Sequence, residues 1–357
     1  MTPARTRTVL AVTGLVAVLV SSACSGGGAK HAASTSASAP VPSTSATTPA
    51  PSTSIPAPAA TNPYTGIGPV PNHPVVAVKI DDTAPGRPQR GIDMADVVYI
   101  EAVEGGLTRL AAIFATHDPT VGYVRSTRPS DPDLLLQYGK LTEIYSGGAH
   151  DSLPLVHASG ITSWSNDAGA PYFSRVSRYQ STYINLVIDL AKVVAHTHTN
   201  APRSIGWTFN SSLTGLPITA GTDLRTRVTG SYAFTSGTPV EFRYSQTLKV
   251  YVRYIDGVAQ HAADGKLVTA TNVIVQDCKV VPHPQDTDVN GNPAQFTYTV
   301  GSGAVSVFRQ GKRINGTWSR PSTGVGTTLT ASNGVPLTLN PGNTWVVLVR
   351  NGVPISG

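Results

Sequence analysis

The stretch Val75-Val76-Ala77-Val78-Lys79-Ile80, closed by Asp81-Asp82, sets the fold class. A near-continuous run of β-branched residues bounded by charge reads as a strand buried on both faces, as found inside parallel and mixed sheets. Working outward, residues 96–103 and 110–116 are two more apolar runs, and Gly105-Gly106 between them signals a hairpin or bulge. Asp131-Pro132-Asp133 reads as a helix start, with an acidic N-cap and proline at the first position. Leu134-Leu135-Leu136 continues that helix and Gly139 stops it, and residues 141–145 are strand-like. Asn185 is placed to cap a helix over residues 186–195. After about Thr199 helical periodicity ends. Short alternating segments follow at 247–255, 272–276, 296–300, 305–308 and 345–349, with turn signals at Asp256-Gly257, Gly301, Gln310-Gly311 and Asn351-Gly352. The pattern predicts an α+β or α/β architecture: a mixed α/β sheet domain over residues 66–200, then a β-rich domain over 201–357.

The chain before residue 66 has a different character. Arg5 and Arg7 precede an apolar run from Val9 to Val20, and Ser21-Ser22-Ala23-Cys24 follows. That order is a secretory signal over residues 1–23. Twelve apolar residues rise about 18 Å as a helix, short of a hydrocarbon core ~30 Å thick, which argues against a membrane-spanning anchor. Cys24 directly after Ser-Ala fits a lipobox, in which the thiol is acylated (palmitate being one such chain) and becomes the first mature residue. Two or more acyl chains, at about 0.8 kcal/mol per buried CH₂, hold a protein durably on a leaflet. Residues 24–65 are nearly all Ser, Thr, Ala, Pro and Gly, with too little apolar surface to offset ordering entropy. They are expected to be a disordered tether with a reach of roughly 35 Å. The expected location is the cell membrane, lipid-anchored to the outer leaflet through Cys24, with the folded part on the extracytoplasmic face.

Composition excludes several classes. The chain of 357 residues has a formal charge of +6, but Arg5, Arg7, Lys30 and Lys79 face no acid before residue 81. The remainder holds 22 basic against 20 acidic residues, too near neutrality for a phosphate-backbone footprint, so no nucleic-acid partner is expected. With two cysteines there is no disulfide framework and no CxxC pair, and Cys278 reads as a packed small hydrophobe. No GxSxG, SxxK, HExxH or phosphate-loop motif is present. Asp286-x-Asp288-x-Asn290-Gly291 opens like a calcium loop, but its twelfth position is Thr297 in place of a bidentate Glu. His196-x-His198 follows a helix end, where histidine serves the last carbonyls. No metal and no cofactor are expected. At Gly147-Gly148-Ala149-His150-Asp151, capping by Asp151 is the favoured reading.

Chemistry-bearing residues concentrate between Lys79 and Arg128: Asp81, Asp82, Arg87, Glu101, Glu104, Thr108, Arg109, Arg125, Ser126 and Arg128. Charges beside buried strands need partners or an open cleft. Glu101 and Glu104 are three apart and face opposite sides of a regular strand unless the glycine pair bulges it. Arg125 and Arg128 bring two forked donors to a turn, a pattern suited to carboxylate or phosphate. An internal Arg–carboxylate network that fixes the fold is the competing reading.

These segments resemble a known family. Val76-Ala77-Val78-Lys79-Ile80-Asp81, Arg87-Pro88-Gln89-x-Gly91, Glu104-Gly105-Gly106-x-Thr108-Arg109 and Gly122-x-Val124-Arg125-Ser126-x-Arg128 are similar to the N-terminal signature of the YerB-like lipoproteins, classed as domain of unknown function 3048. Asn272-Val273-Ile274-Val275-Gln276, Gly316-Thr317-Trp318 and Leu339-Asn340-Pro341-Gly342-x-Thr344-Trp345 resemble its C-terminal domain. The resemblance implies a two-domain lipoprotein and brings no established activity. The functional expectation is binding of an anionic or carbohydrate envelope component, a cell-wall polymer or an envelope protein being the partner. Arg87, Arg109, Arg125 and Arg128, with Thr108 and Ser126, are expected to contact it, and Glu101 and Glu104 to orient them. Two alternatives stand beside it. One is a wall-active hydrolase using Glu101 or Glu104 with Asp81 or Asp82; the other is a scaffold for envelope machinery.

Overall fold

The computed structural model describes residues 60–177, 184–230 and 237–357; the signal segment, Cys24 and the tether up to residue 59 lie outside them. The run that begins at Val75 forms β1 (Val76–Asp81), buried at every position. It lies between β3 (Thr108–Phe114), antiparallel to it, and β5 (Thr142–Tyr145), parallel to it. β2 (Val97–Ala102) pairs with β3 across a turn at Glu104–Gly106. Gly105 and Gly106 stand there at φ 63° and 75°, a left-handed geometry without penalty for a residue lacking Cβ. β6 (Thr162–Ser165) adds in parallel outside β5.

On its other edge β2 pairs in parallel with the last strand, Thr344–Arg350, from Val97↔Thr344 to Ile100↔Val347. Asn272–Cys278, Gly301–Arg309, Lys312–Arg320 and Thr328–Ala331 continue outward from there. One eleven-stranded mixed sheet therefore runs through both the α/β and the β-rich segments. The two-residue turns Asp256-Gly257 and Gln310-Gly311 hold φ between 51° and 78°, the left-handed pair that closes a tight hairpin.

Because successive residues face opposite sides of a strand, β1 feeds two cores. Val76, Val78 and Ile80 join Val98, Ile100, Leu110 and Ala112, whereas Ala77 joins Val97, Tyr99, Ala111 and Ile113. The first core is completed by two smaller sheets. One comprises β4 (Thr120–Gly122), β7 (Phe173–Arg175) and β8 (Leu186–Asp189); the other includes Leu224–Val228, Thr238–Ser245 and Val250–Ile255. The second core is completed by α1 (Asp131–Leu135) through Leu134 and Leu135, with Tyr64, Ile205 and Trp207. The other α-helices among the described residues, α2 (Ser152–Ser159) and α3 (Leu190–His196), are also short, at 8 and 7 residues. Among the described residues no helix is long and apolar enough to cross a membrane.

Local expectations need correcting at three places. Residues 186–189 form strand β8, and the helix starts at Leu190 with Asp189 as its cap, accepting the Lys192 N–H at 3.3 Å. Leu186-Val187-Ile188 is an apolar run short enough for either structure, and pairing with β4 and β7 decides it. Ser130 holds the N-cap position of α1, which frees the Asp131 carboxylate for other partners. Gly301 opens a strand instead of a turn.

Candidate functional site

Cross-strand pairing sets a row of charge across the sheet. Asp81 stands opposite Arg109, and Arg109 opposite Glu101, so the three share a face with Lys79, two residues before Asp81. Lys79 Nζ donates to Asp131 Oδ1 at 2.8 Å and pairs with Glu101. Asp131 Oδ2 also accepts the Arg128 N–H at 2.7 Å. Thr127 Oγ1 bridges Asp131 Oδ2 (2.9 Å) and Glu143 Oε1 (2.7 Å). Lys79, Glu101, Thr127, Asp131 and Glu143 are all buried. Burial lowers the Lys79 pKa, and burial plus the Asp131 charge push Glu143 up to about 8, favouring its neutral form.

Asp82 faces the other way. Arg253 Nη2 reaches both its carboxylate oxygens at 2.8 Å, Thr108 Oγ1 donates at 2.8 Å and Gln89 Nε2 at 3.3 Å. Arg87 donates to the Asp82 carbonyl. Arg87 and Thr108 therefore belong to a network on the opposite face from Glu101 and Arg109. Glu104 pairs with Arg128 Nη2 at 2.7 Å, while Arg128 Nη1 donates to the carbonyls of Ser126 and Thr127. Asp81 pairs with Arg125. Burial opposes its ionisation, but Arg125, Arg109 and the Thr83 hydrogen bonds hold the carboxyl below the usual range.

Arg109 is buried, and its Nε and Nη1 have no hydrogen-bond partner among the described residues. Burial and the charges of Arg128 and Arg125 bring it down to about 9. The predicted set is thus divided between two faces of the sheet, and its four carboxylates are each no more than 7% exposed. Arg125 and Ser126 are the members that line the hollow formed nearby.

That hollow arises where β1 and β5 part. Their pairing ends at Val78↔Ile144, and residues 123–127 enter the gap. Asp81 N–H donates to Tyr123 O and Arg125 N–H to Lys79 O, both at 2.9 Å. On the other side Ser146 N–H donates to Arg125 O (3.0 Å) and Thr127 N–H to Gly147 O (2.9 Å). Beyond β6, Asn166 and Asp167 donate to the carbonyls of Tyr145 and Ser146. At the carboxyl ends of these three parallel strands, where open α/β sheets accept ligands, lies a cavity of about 220 Å³. Arg125, Ser126, Ser146, Asn166, Asp167 and Arg175 line it, with Val124 and Leu186 as its apolar part. Asp81 anchors Arg125, and Arg175 Nη1 donates to Asn185 Oδ1 at 2.9 Å. The Ser126 and Ser146 hydroxyls are 3.4 Å apart. A Cβ on Gly147 would stand 2.1 Å from Asp167 Oδ2, and one on Gly148 2.8 Å from Leu153, so close approach requires both glycines.

Sequence reasoning missed Ser146, Asn166, Asp167 and Arg175 as site residues, and Arg253, Asp131 and Glu143 as partners of the charged set. Ser146 was findable as the residue following a predicted strand. Asn166 and Asp167 follow Thr162-Ser163-Trp164-Ser165, which has no apolar run to mark it as a strand. Other singled-out residues serve local structure. His196 Nδ1 meets the Lys192 carbonyl at 2.8 Å, as expected of a helix end. The capping expected of Asp151 falls instead to Asp286, which accepts the backbone N–H groups of Asp151 and Ser152 at 2.6 and 3.0 Å. The Asp151 carboxylate meets His150 and His283. Asp288 closes its own loop, accepting from the N–H groups of Asn290 and Asn292 at 2.9 Å. Cys278 is buried in the second core, and burial pushes its thiol pKa up.

Comparison with known proteins adds a lineage. Residues 63–203 match the N-terminal domain, and residues 230–346 the C-terminal domain, of the protein of unknown function DUF3048. The chain is 26% identical over 290 residues to "Putative lipoprotein YerB" of Bacillus subtilis (strain 168), covering 77% of this chain and 80% of that protein. The crystal structure of YerB protein from Bacillus subtilis superposes with a TM-score of 0.67 at 22% identity, covering 84% of this chain and all of that one. That likeness shows the fold.

Proposed function

The chain belongs to the DUF3048 family, both of whose domains it carries in order, and on that premise we propose a lipid-anchored binding protein of the extracytoplasmic face. Its ligand is an anionic or hydroxyl-rich component of the cell envelope. The anchor is supported by Arg5, Arg7, the apolar run to Val20 and Cys24, together with the lipoprotein name carried by the Bacillus relative.

The observation that carries the binding reading is the convergence of Arg125, Arg175, Ser126, Ser146 and Asn166 on one open hollow of about 220 Å³. Guanidinium forks match carboxylate geometry, and hydroxyl and amide groups match sugar hydroxyls. The volume lies below the ~300–1,000 Å³ of sites for drug-sized ligands. It suits one residue or head group of a larger polymer. The hydrolase alternative would rest on Asp81, Asp82, Glu101 and Glu104, each ion-paired and no more than 7% exposed, so binding is the better-supported reading.

The test is retention of the soluble chain, begun after Cys24, on purified cell-wall material. Wild type is expected to be retained and Arg175→Gln released, with unchanged melting. Equal retention of the two proteins refutes the assignment.

A further inference from the structure

The pocket holds both signs of charge. Arg125 and Arg175 bring two guanidiniums, and Asp167 brings a carboxylate. Among the described residues Asp167 forms no ion pair; its Oδ1 accepts a hydrogen bond from Asn166 Nδ2 at 3.2 Å. Asp167 is exposed to solvent, yet its position is fixed at both ends. Its backbone N–H is tied to Ser146 O at 2.8 Å, and Oδ2 lies over Gly147, 2.1 Å from where a Cβ would stand. The carboxylate therefore lies against the loop after β5, in the hollow that Ser126 and Ser146 also line.

From this arrangement we infer, resting on the binding reading above, that the pocket takes a zwitterionic amino-acid-type group, such as a free peptide terminus. Its carboxylate meets the guanidiniums and its ammonium meets Asp167. A phosphate or other dianion would gain from Arg125 and Arg175 but would be repelled by Asp167. A neutral sugar would bring no opposite charge to Asp167. Both are selected against by a group already built into the wall. An ammonium has three N–H donors to place, and the Asp167 carboxylate with the Ser126 and Ser146 hydroxyls supplies three acceptors. The ligand's carboxylate then meets the guanidiniums of Arg125 and Arg175, which Asp81 and Asn185 orient.

Four probes test this by calorimetric titration against the soluble chain: the dipeptide alanyl-alanine, its N-acetyl form, its C-terminal amide, and inorganic phosphate. The free dipeptide is expected to bind at least tenfold more tightly than either capped form, and phosphate not to compete with it. In Asp167→Asn the free and N-acetyl dipeptides should converge in affinity, and Asp167→Ser, which also removes the charge, should repeat the result. Arg175→Gln should weaken the free and N-acetyl forms together. Equal binding of free and N-acetyl dipeptide by wild type overturns the inference, as does phosphate binding more tightly than the dipeptide. Retention on wall material that depends on Arg175, without any dipeptide binding, overturns the zwitterion and leaves envelope binding standing. Dipeptide binding without wall retention supports the zwitterion and removes the envelope polymer as ligand.

Discussion

Replacing Arg253 with methionine probes a buried charge pair that ties the sheet of the β-rich segment to the end of β1. Arg253 is 2% exposed, its Nη2 donates to both Asp82 oxygens at 2.8 Å, and its guanidinium lies 5.1 Å from the Trp345 ring. Methionine keeps comparable apolar bulk and removes the charge. Asp82 then retains Thr108, Gln89 and the more distant Arg87 Nε at 3.8 Å, which is not enough to hold a fully buried carboxylate. Breaking one side of a buried pair costs about 3–5 kcal/mol. With Arg87 still near, the expected loss is about 3 kcal/mol, or roughly 150-fold in the folding constant at about 1.4 kcal/mol per tenfold. At roughly 2–4 °C per kcal/mol for a unit of this size, Tm falls by about 6–12 °C. Urea denaturation followed by tryptophan fluorescence measures it. Asp82→Asn leaves Arg253 unpaired and should cost a similar amount, whereas Asp82→Asn/Arg253→Met should recover about 2 kcal/mol against the sum of the singles. Single variants that each cost under about 1 kcal/mol, with a strictly additive double, would show that the pair does not hold the two sheets together.

Four further outcomes are expected. Glu143 titrates near 8 in the folded chain against an ordinary 4.5, so the fold keeps a proton that the unfolded chain releases between those values. Stability should therefore fall as pH rises from 4.5 to 8, by up to ~1.4 kcal/mol per unit, and Glu143→Gln should flatten the slope; parallel slopes for the two proteins refute this. Cys278, buried with its thiol pKa raised, should react with a disulfide reagent at the rate of global unfolding; a fast reaction in native buffer counts against the assignment. Gly147→Ala should displace the Asp167 carboxylate and weaken dipeptide binding at least tenfold while changing stability by about 1 kcal/mol or less, which paired titration and melting curves separate. In cells, Cys24→Ala should abolish palmitate labelling and release the protein from membranes; retained label would place the acyl chains elsewhere.

Legibility in the sequence followed the range of the interactions involved. Val76-Ala77-Val78-Lys79-Ile80 could be read because burial on both faces demands continuous apolar character. Gly105-Gly106, Asp256-Gly257 and Gln310-Gly311 could be read because a left-handed backbone restricts residue choice at the position itself. Leu186-Val187-Ile188 could not, since a run of that length satisfies either a helix or a strand and its neighbours decide. β6 escaped because Thr162-Ser163-Trp164-Ser165 sits at the sheet's end with mostly partial burial, where apolar patterning is not required. In the site, Arg125 and Ser126 were legible as forked donor and hydroxyl near a turn. Asp167 and Arg175 were not, because nothing local distinguishes them from surface polar residues.

Residue chemistry alone supported the expected secretory and acylation signals and the Ser/Thr/Ala/Pro-rich tether, and pointed to the mixed α/β class and the family, since each depends on local composition or ordered motifs. Tertiary structure alone decided which charges are buried in mutual pairs and which line the hollow. Asp81 and Asp82 are neighbours in the chain, yet strand alternation sends one to Arg125 and the other to Arg253. Asp167 comes to line the hollow because three parallel strands end side by side, and Arg175 because β7, in the smaller sheet, pairs with β8 beside it.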